Sequence, residues 1–151
     1  MNENRRLPYS AANASDNAVV ARELVFDLMA GCMTPVPLRA TLRYETSDPY
    51  AIFMEFDTVE APRSIQWIFA RSLLASGLHS PAGLGDIRIR PSEENPKAVL
   101  VELDSPAGYA VLRAPVSGVR EFLDRTYEVV PWGSESLWAD FDLELARLSA
   151  D

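Results

Sequence analysis

Cys32 and His79 are the only thiol and the only imidazole in this 151-residue chain, so nucleophilic cysteine chemistry would have to use that pair. Such chemistry needs a base within hydrogen-bond reach and a neighbouring cation that lowers the thiol pKa. Cys32 sits in a Gly31-Cys32-Met33 stretch with no adjacent cation, and His79 lies far along the chain in a turn rich in Pro and Gly. The expectation is a loop cysteine, a solvent-facing histidine and no catalytic residue. One Cys and one His fall short of a structural zinc site. Asp140, Asp142 and Glu144 step around a predicted helix instead of converging, which reads as a solvated face. No metal and no cofactor is expected.

Three other groups have binding chemistry. Gly77, Gly83 and Gly85 resemble a phosphate-binding loop in spacing, but that loop needs a helix directly after it, with free amides facing the phosphate. Here a strand pattern follows, so the glycines are read as turn formers. Arg88 and Arg90 share one face of a strand and Lys97 begins the next, an arrangement able to track a single-stranded nucleic-acid backbone. The competing reading, which the acidic composition favours, is a charged strand edge that resists aggregation. Trp132 and Trp138 flank the entry to the last predicted helix. They are the candidate partner-binding residues, with a core role as the other reading and the one slightly favoured.

Composition bounds the class. The chain carries 14 basic and 22 acidic residues, a net charge of −8, which works against phosphate and anionic membrane surfaces. A single cysteine excludes an intramolecular disulfide and fits a reducing compartment. No apolar run approaches the roughly 18 residues of a membrane span. Arg5 and Arg6 have no apolar segment behind them, so no secretory signal is expected. The compartment read from these features is the cytoplasm, with one domain.

The elements that position these residues follow from periodicity. Residues 1–18 are rich in Asn, Ala and Ser and read as a flexible leader, with a single domain over residues 19–151. Leu24, Phe26 and Leu28 alternate with Glu23, Val25 and Asp27; Leu24 and Leu28 also fit a helix, and Val19, Val20, Val25 and Phe26 tip the reading to strand. Alternation continues over Leu38, Ala40, Leu42 and Tyr44, then Tyr50, Ile52, Met54 and Phe56, then Ile65, Trp67 and Phe69. These are four strands joined by polar loops. Leu73, Leu74 and Leu78 switch to helical spacing over residues 70–78, with Gly77 and Pro81 as stop signals. Residues 86–91, 98–103 and 109–114 form three more strands. Pro115 suits a first helical turn, and Val119, Phe122, Leu123, Tyr127 and Val130 make a helical stripe. Pro131-Trp132-Gly133 interrupts it. Ser134 or Ser136 caps a last helix, whose buried face is expected to be Leu137, Phe141, Leu145 and Leu148. The fold class is α+β: two antiparallel β-sheet halves of about seven strands, one short middle helix and two C-terminal helices.

The block over residues 67–91 carries a resemblance. It reads Trp67-Ile68-Phe69-Ala70-Arg71-Ser72-Leu73-Leu74, then Gly77-Leu78-His79-Ser80-Pro81, then Gly83-Leu84-Gly85-Asp86. Pro35-Val36-Pro37, Asp48-Pro49-Tyr50-Ala51, Ser105-Pro106-Ala107-Gly108, Phe122-Leu123-Asp124-Arg125-Thr126 and Val130-Pro131-Trp132-Gly133-Ser134-Glu135 follow the same pattern in order. Phe141-Asp142-Leu143-Glu144 points to one branch of the family. The chain resembles the SsgA-like proteins of actinomycetes, from about residue 20 to its end. The resemblance implies a whirly-like fold, a homotrimer and a non-enzymatic regulator of sporulation-specific cell division. It implies action at the division septum through recruitment of the tubulin-like protein FtsZ, together with SsgA-type division proteins. The implied fold is shared with single-strand nucleic-acid binders, which makes nucleic-acid binding through Arg88, Arg90 and Lys97 the alternative function.

Overall fold

The structure, a computed structural model, describes residues 17–29, 34–57 and 65–139. The period-two segments are strands: β1 (Val19–Met29), β2 (Val36–Glu45), β3 (Ala51–Phe56) and β4 (Ile65–Ala70). The break in alternation is the short helix α1 (Arg71–Gly77). Strands β5 (Ile87–Pro91), β6 (Ala98–Ser105) and β7 (Gly108–Pro115) lead directly into α2 (Val116–Val129). A further helical turn begins at residues 135–139.

The two predicted halves are halves of one sheet. Its order is β4-β3-β2-β1-β7-β6-β5, and each neighbouring pair is antiparallel. The join is narrow. β1 pairs with β2 along nearly its whole length but meets β7 only over Asp27–Met29, opposite Arg113 to Val111. That register is set by burial, since a one-residue slip would turn the apolar set of a strand to water.

One face of the sheet is packed. Phe26, Leu42, Ile52, Met54, Ile89, Val99 and Leu112 are buried there, with Val119 and Phe122 of α2 laid over them. Phe26 and Phe56 meet edge to face at 5.8 Å. The other face is polar and crossed by ion pairs: Arg39 with Glu23, Arg43 with Glu45 and Glu55, and Arg113 with Asp27. Exposed pairs of this kind contribute about 0–1 kcal/mol each, so the packed face carries the stability. The amide oxygen of Asn17 accepts from the Ser47 N–H at 2.8 Å and ties the start of β1 to the β2–β3 turn.

Gly77 differs from its sequence reading, whereas Gly83 agrees with it. Gly77 ends α1, but it does not adopt the left-handed conformation of a helix stop, and the residue after it stays helical in geometry. It is needed because α1 presses onto β5: a Cβ there would lie 2.3 Å from Ile89 Cγ2. Gly83 is a turn former, with φ of +104°. Gly118, inside α2, faces only the flexible end of Leu24, whose Cδ2 would be 2.5 Å from an added Cβ. Gly77→Ala is therefore expected to cost about 1–3 kcal/mol through overpacking against a sheet that cannot retreat. Gly118→Ala should stay within about 1 kcal/mol of wild type, because Leu24 can turn aside and alanine favours the helix. Urea unfolding of the two variants checks the contrast.

Candidate partner-binding surface

The turn that carries Trp132 is held from inside the protein by Arg71. This arginine is the first residue of α1 and is 1 % exposed. Its spacing to Leu74 and Leu78 places it on the apolar stripe of α1, which faces the sheet. Its guanidinium lies between two rings, 4.8 Å from the centroid of Tyr44 and 4.8 Å from that of Tyr127. One terminal nitrogen donates to the Val130 carbonyl at 2.9 Å and to the Thr126 carbonyl and hydroxyl, both at 3.3 Å. The other donates to Glu135 Oε2 at 2.7 Å. Glu135 Oε1 in turn accepts from the Gly133 N–H at 3.0 Å, and Gly133 adopts a φ of +88° that favours glycine. One buried cation thus fixes the end of α2, the 131–134 turn and the start of the next helical turn.

The electrostatics follow from burial and this cation. Desolvation drives the Tyr44 hydroxyl up to about 12, with Arg71 pulling the other way. Burial also raises Tyr127. Burial would raise the Glu135 carboxyl as well, but hydrogen bonds from Arg71 and the Gly133 N–H overcome it and hold the group below its ordinary value.

The clamp displays what surrounds it. Trp132 is 62 % exposed and meets Tyr127 edge to face at 6.2 Å. The side chain of Leu137, expected in a buried stripe, is 69 % exposed. Glu135 is the reason. Once its carboxylate is drawn inward by Arg71, a residue two positions on projects to the opposite side of a helix, and one three positions on returns. Trp138 occupies that returning position and is the less exposed of the two. Phe141, Leu145 and Leu148 lie outside the described residues, as do Cys32, Asp140, Asp142 and Glu144. His79 faces solvent. Among the described residues, no three His, Cys, Asp or Glu side chains gather to hold a metal ion.

Arg88 and Arg90 do share a face of β5, and both reach across to the same carboxylate on β6. Arg90 Nε lies 2.7 Å from Glu102 Oε2, and an Arg88 terminal nitrogen lies 3.3 Å from Glu102 Oε1. Tyr109 donates its hydroxyl to the same Oε1 at 3.0 Å. The hydrogen bond from Arg90 leads in holding the Glu102 carboxyl low, so it stays ionised and offsets one of the two cations. Lys97 stands apart in the turn before β6, where its N–H is bound by Asn95 Oδ1 at 2.9 Å. Arg71 and Glu135 are the positioning residues that the sequence reading did not single out. The legible signal was a charged residue at helical spacing with two leucines, inside an otherwise apolar block.

The fold and this surface define an α+β domain that presents pinned aromatic side chains from the end of its longest described helix. Comparison with known proteins gives the class. Residues 38–135 match the family described as Streptomyces sporulation and cell division protein, SsgA. The chain is 46 % identical over 134 residues to the sporulation-specific cell division protein SsgB of Saccharopolyspora erythraea, covering 89 % of this chain and 94 % of that one. It is 42 % identical to the SsgB of Streptomyces coelicolor, covering 89 % and 98 %. The solved structure of an SsgA-like sporulation-specific cell division protein from Thermobifida fusca superposes with a TM-score of 0.81 at 41 % identity, covering 88 % and 97 %. The chain belongs to the SsgA family, and its relatives in Saccharopolyspora erythraea and Streptomyces coelicolor are SsgB proteins.

Removing Arg71 leaves the partly buried Glu135 carboxylate and the buried Thr126 and Val130 carbonyls without their donor. Arg71→Met is expected to lower stability by about 3–5 kcal/mol. The pH dependence has a definite sign. A carboxyl whose folded pKa is depressed contributes stability that is present above its unfolded value and is lost as pH falls through the folded value. Stability should therefore decline below the ordinary glutamate range of about 4.3, and Glu135→Gln should flatten that decline. Chemical unfolding across acidic pH measures both.

Proposed function

We propose that this chain is a non-enzymatic regulator of sporulation-specific cell division that binds FtsZ and positions it at septation sites. It acts in the cytoplasm at the division septum, alongside SsgA-type division proteins, and assembles as a homotrimer. The observation that carries this reading is the match to relatives named sporulation-specific cell division proteins at 41–46 % identity, along most of both chains. A second support is physical. The hydrogen bonds around Arg71 and Glu135 hold the turn that presents Trp132, and exposed aromatics are frequent anchors of protein interfaces.

Single-strand nucleic-acid binding draws less support. Affinity for nucleic acid comes largely from cations that neutralise phosphates. Arg88 and Arg90 already share a carboxylate, and a net charge of −8 adds long-range repulsion.

Co-sedimentation with FtsZ polymers tests the reading. Enrichment in the pellet is expected with GTP and not without it, and Trp132→Ala should reduce it without changing the unfolding midpoint. No enrichment under polymerising conditions would remove direct FtsZ binding. Light scattering on the same preparation should give three times the protomer mass.

A further inference from the structure

The sheet has two edge strands, β4 and β5, and among the described residues only the β5 edge is covered. At the β5 edge the ladder to β6 includes the bond from the Asp104 N–H to the Asp86 carbonyl at 2.8 Å. Because antiparallel pairs alternate, Ile87, Ile89 and Pro91 turn their backbone groups away from β6. Ile89 is then bonded on both sides to Ala82, at 2.9 and 3.0 Å. Pro91 has no N–H to offer, and Gly83 is packed against the Ile87 carbonyl so closely that a Cβ would lie 2.5 Å from it.

Among the described residues, the β4 edge has none of these devices. The Arg71 N–H bonds to the Tyr50 carbonyl at 2.7 Å, which fixes the alternation of the β3–β4 ladder. Gln66 and Ile68 therefore direct their N–H and C=O groups outward. Those groups have no backbone partner among the described residues. The strand Ile65–Ala70 contains no charge and no proline, the usual guards of an exposed edge. Ile68 is 56 % exposed. Beside this edge runs a groove of about 320 Å³, lined by Trp67, Phe69 and Leu73 on one side and Leu84, Asp86 and Ile87 on the other. The curl of the sheet brings its two ends to this groove. Leu84 stands fully exposed at its rim, on the loop anchored by the Ala82–Ile89 bridge. Asp86 is exposed there, and no cation among the described residues lies within salt-bridge distance of it.

We infer that β4 is a strand-addition site. Its occupant is an extended segment of a partner protein with alternate apolar residues and a basic residue at one end. The main chain of that segment pairs with Gln66 and Ile68, its apolar side chains enter the groove, and its cation meets Asp86. Asp86, exposed beside the groove and without a cation partner among the described residues, favours a basic segment as the occupant. This inference rests on the proposed function only in taking the partner to be a protein, and it does not require that the partner be FtsZ.

The test uses the full chain and a library of displayed nine-residue peptides as the probe. Peptides enriched on the wild type should alternate apolar residues and end in Lys or Arg. They should bind Ile68→Lys about tenfold more weakly, because a charged edge residue disfavours pairing. They should also weaken on Asp86→Lys and slow hydrogen exchange at the amides of residues 66 and 68. Circular dichroism should show both variants folded. Failure to enrich any sequence, or enriched peptides indifferent to Ile68→Lys, would overturn the inference. Protection of those two amides in the protein alone, rising with its concentration, would also overturn it by assigning the edge to a second copy. Because FtsZ is absent, these outcomes are separate from those of co-sedimentation.

Discussion

Arg71 is the point on which distant parts of this fold agree. Its side chain touches β2 through Tyr44, α2 through Thr126 and Tyr127, and the following turn through Val130 and Glu135, the last of these 64 residues away in sequence. Its own N–H continues the β3–β4 ladder at Tyr50. Taking a cation out of water costs several kcal/mol even after the protein relaxes, so it is tolerated only where partners compensate it. Here two carbonyls, a hydroxyl and a carboxylate meet its terminal nitrogens and two rings flank it, while its Nε is buried without a hydrogen-bond partner. The donor geometry is directional, and that matters more than the net energy. Apolar contacts would let α2 slide on the sheet, whereas a planar fork with fixed acceptors admits one placement.

The consequence reaches the surface through Glu135. Because its carboxylate is fixed from within and also receives the Gly133 N–H, the turn between them has little freedom. Trp132 is carried on that turn and leans on Tyr127, one of the rings that sandwich Arg71. The exposed aromatic and the buried cation are thus two ends of one packed unit. An anchor prepared in this way loses little rotamer freedom when a partner covers it.

Much of this architecture was legible in the residues. Strands β1 to β7 follow the alternation of apolar and polar side chains, and α1 and α2 begin where that alternation gives way to helical spacing. This works because each strand has one wet face and one dry face, so burial is written directly into the pattern. What could not be read locally depended on long-range pairing. Periodicity marks strands but does not say that β1 joins β7, so the two meanders were visible and their fusion into one sheet was not. Gly77 looked like a helix stop because the close approach of Ile89 comes from a strand ten residues further on. Leu137 was placed on the wrong face because the phase of its helical turn is set by Glu135 and Arg71, and hydrophobic spacing carries no information about that pair. Of the candidate site residues, Arg88 and Arg90 were correctly placed on one face, but the cross-strand carboxylate that binds both was invisible without the register of β5 against β6.

The distribution of charge also bears on what kind of partner this domain suits. Arg22, Arg39, Arg43, Arg71, Arg88, Arg90 and Arg113 each lie against a carboxylate. A phosphate chain approaching these cations would have to displace their carboxylates, and the binding that phosphate contacts normally supply would be reduced by that exchange. An apolar or basic protein segment meets no such obstacle. It finds an unguarded strand edge at β4, exposed leucine and isoleucine beside it, and a displayed tryptophan at the end of α2. The physical bias of the surface is therefore towards a protein segment over a phosphate chain.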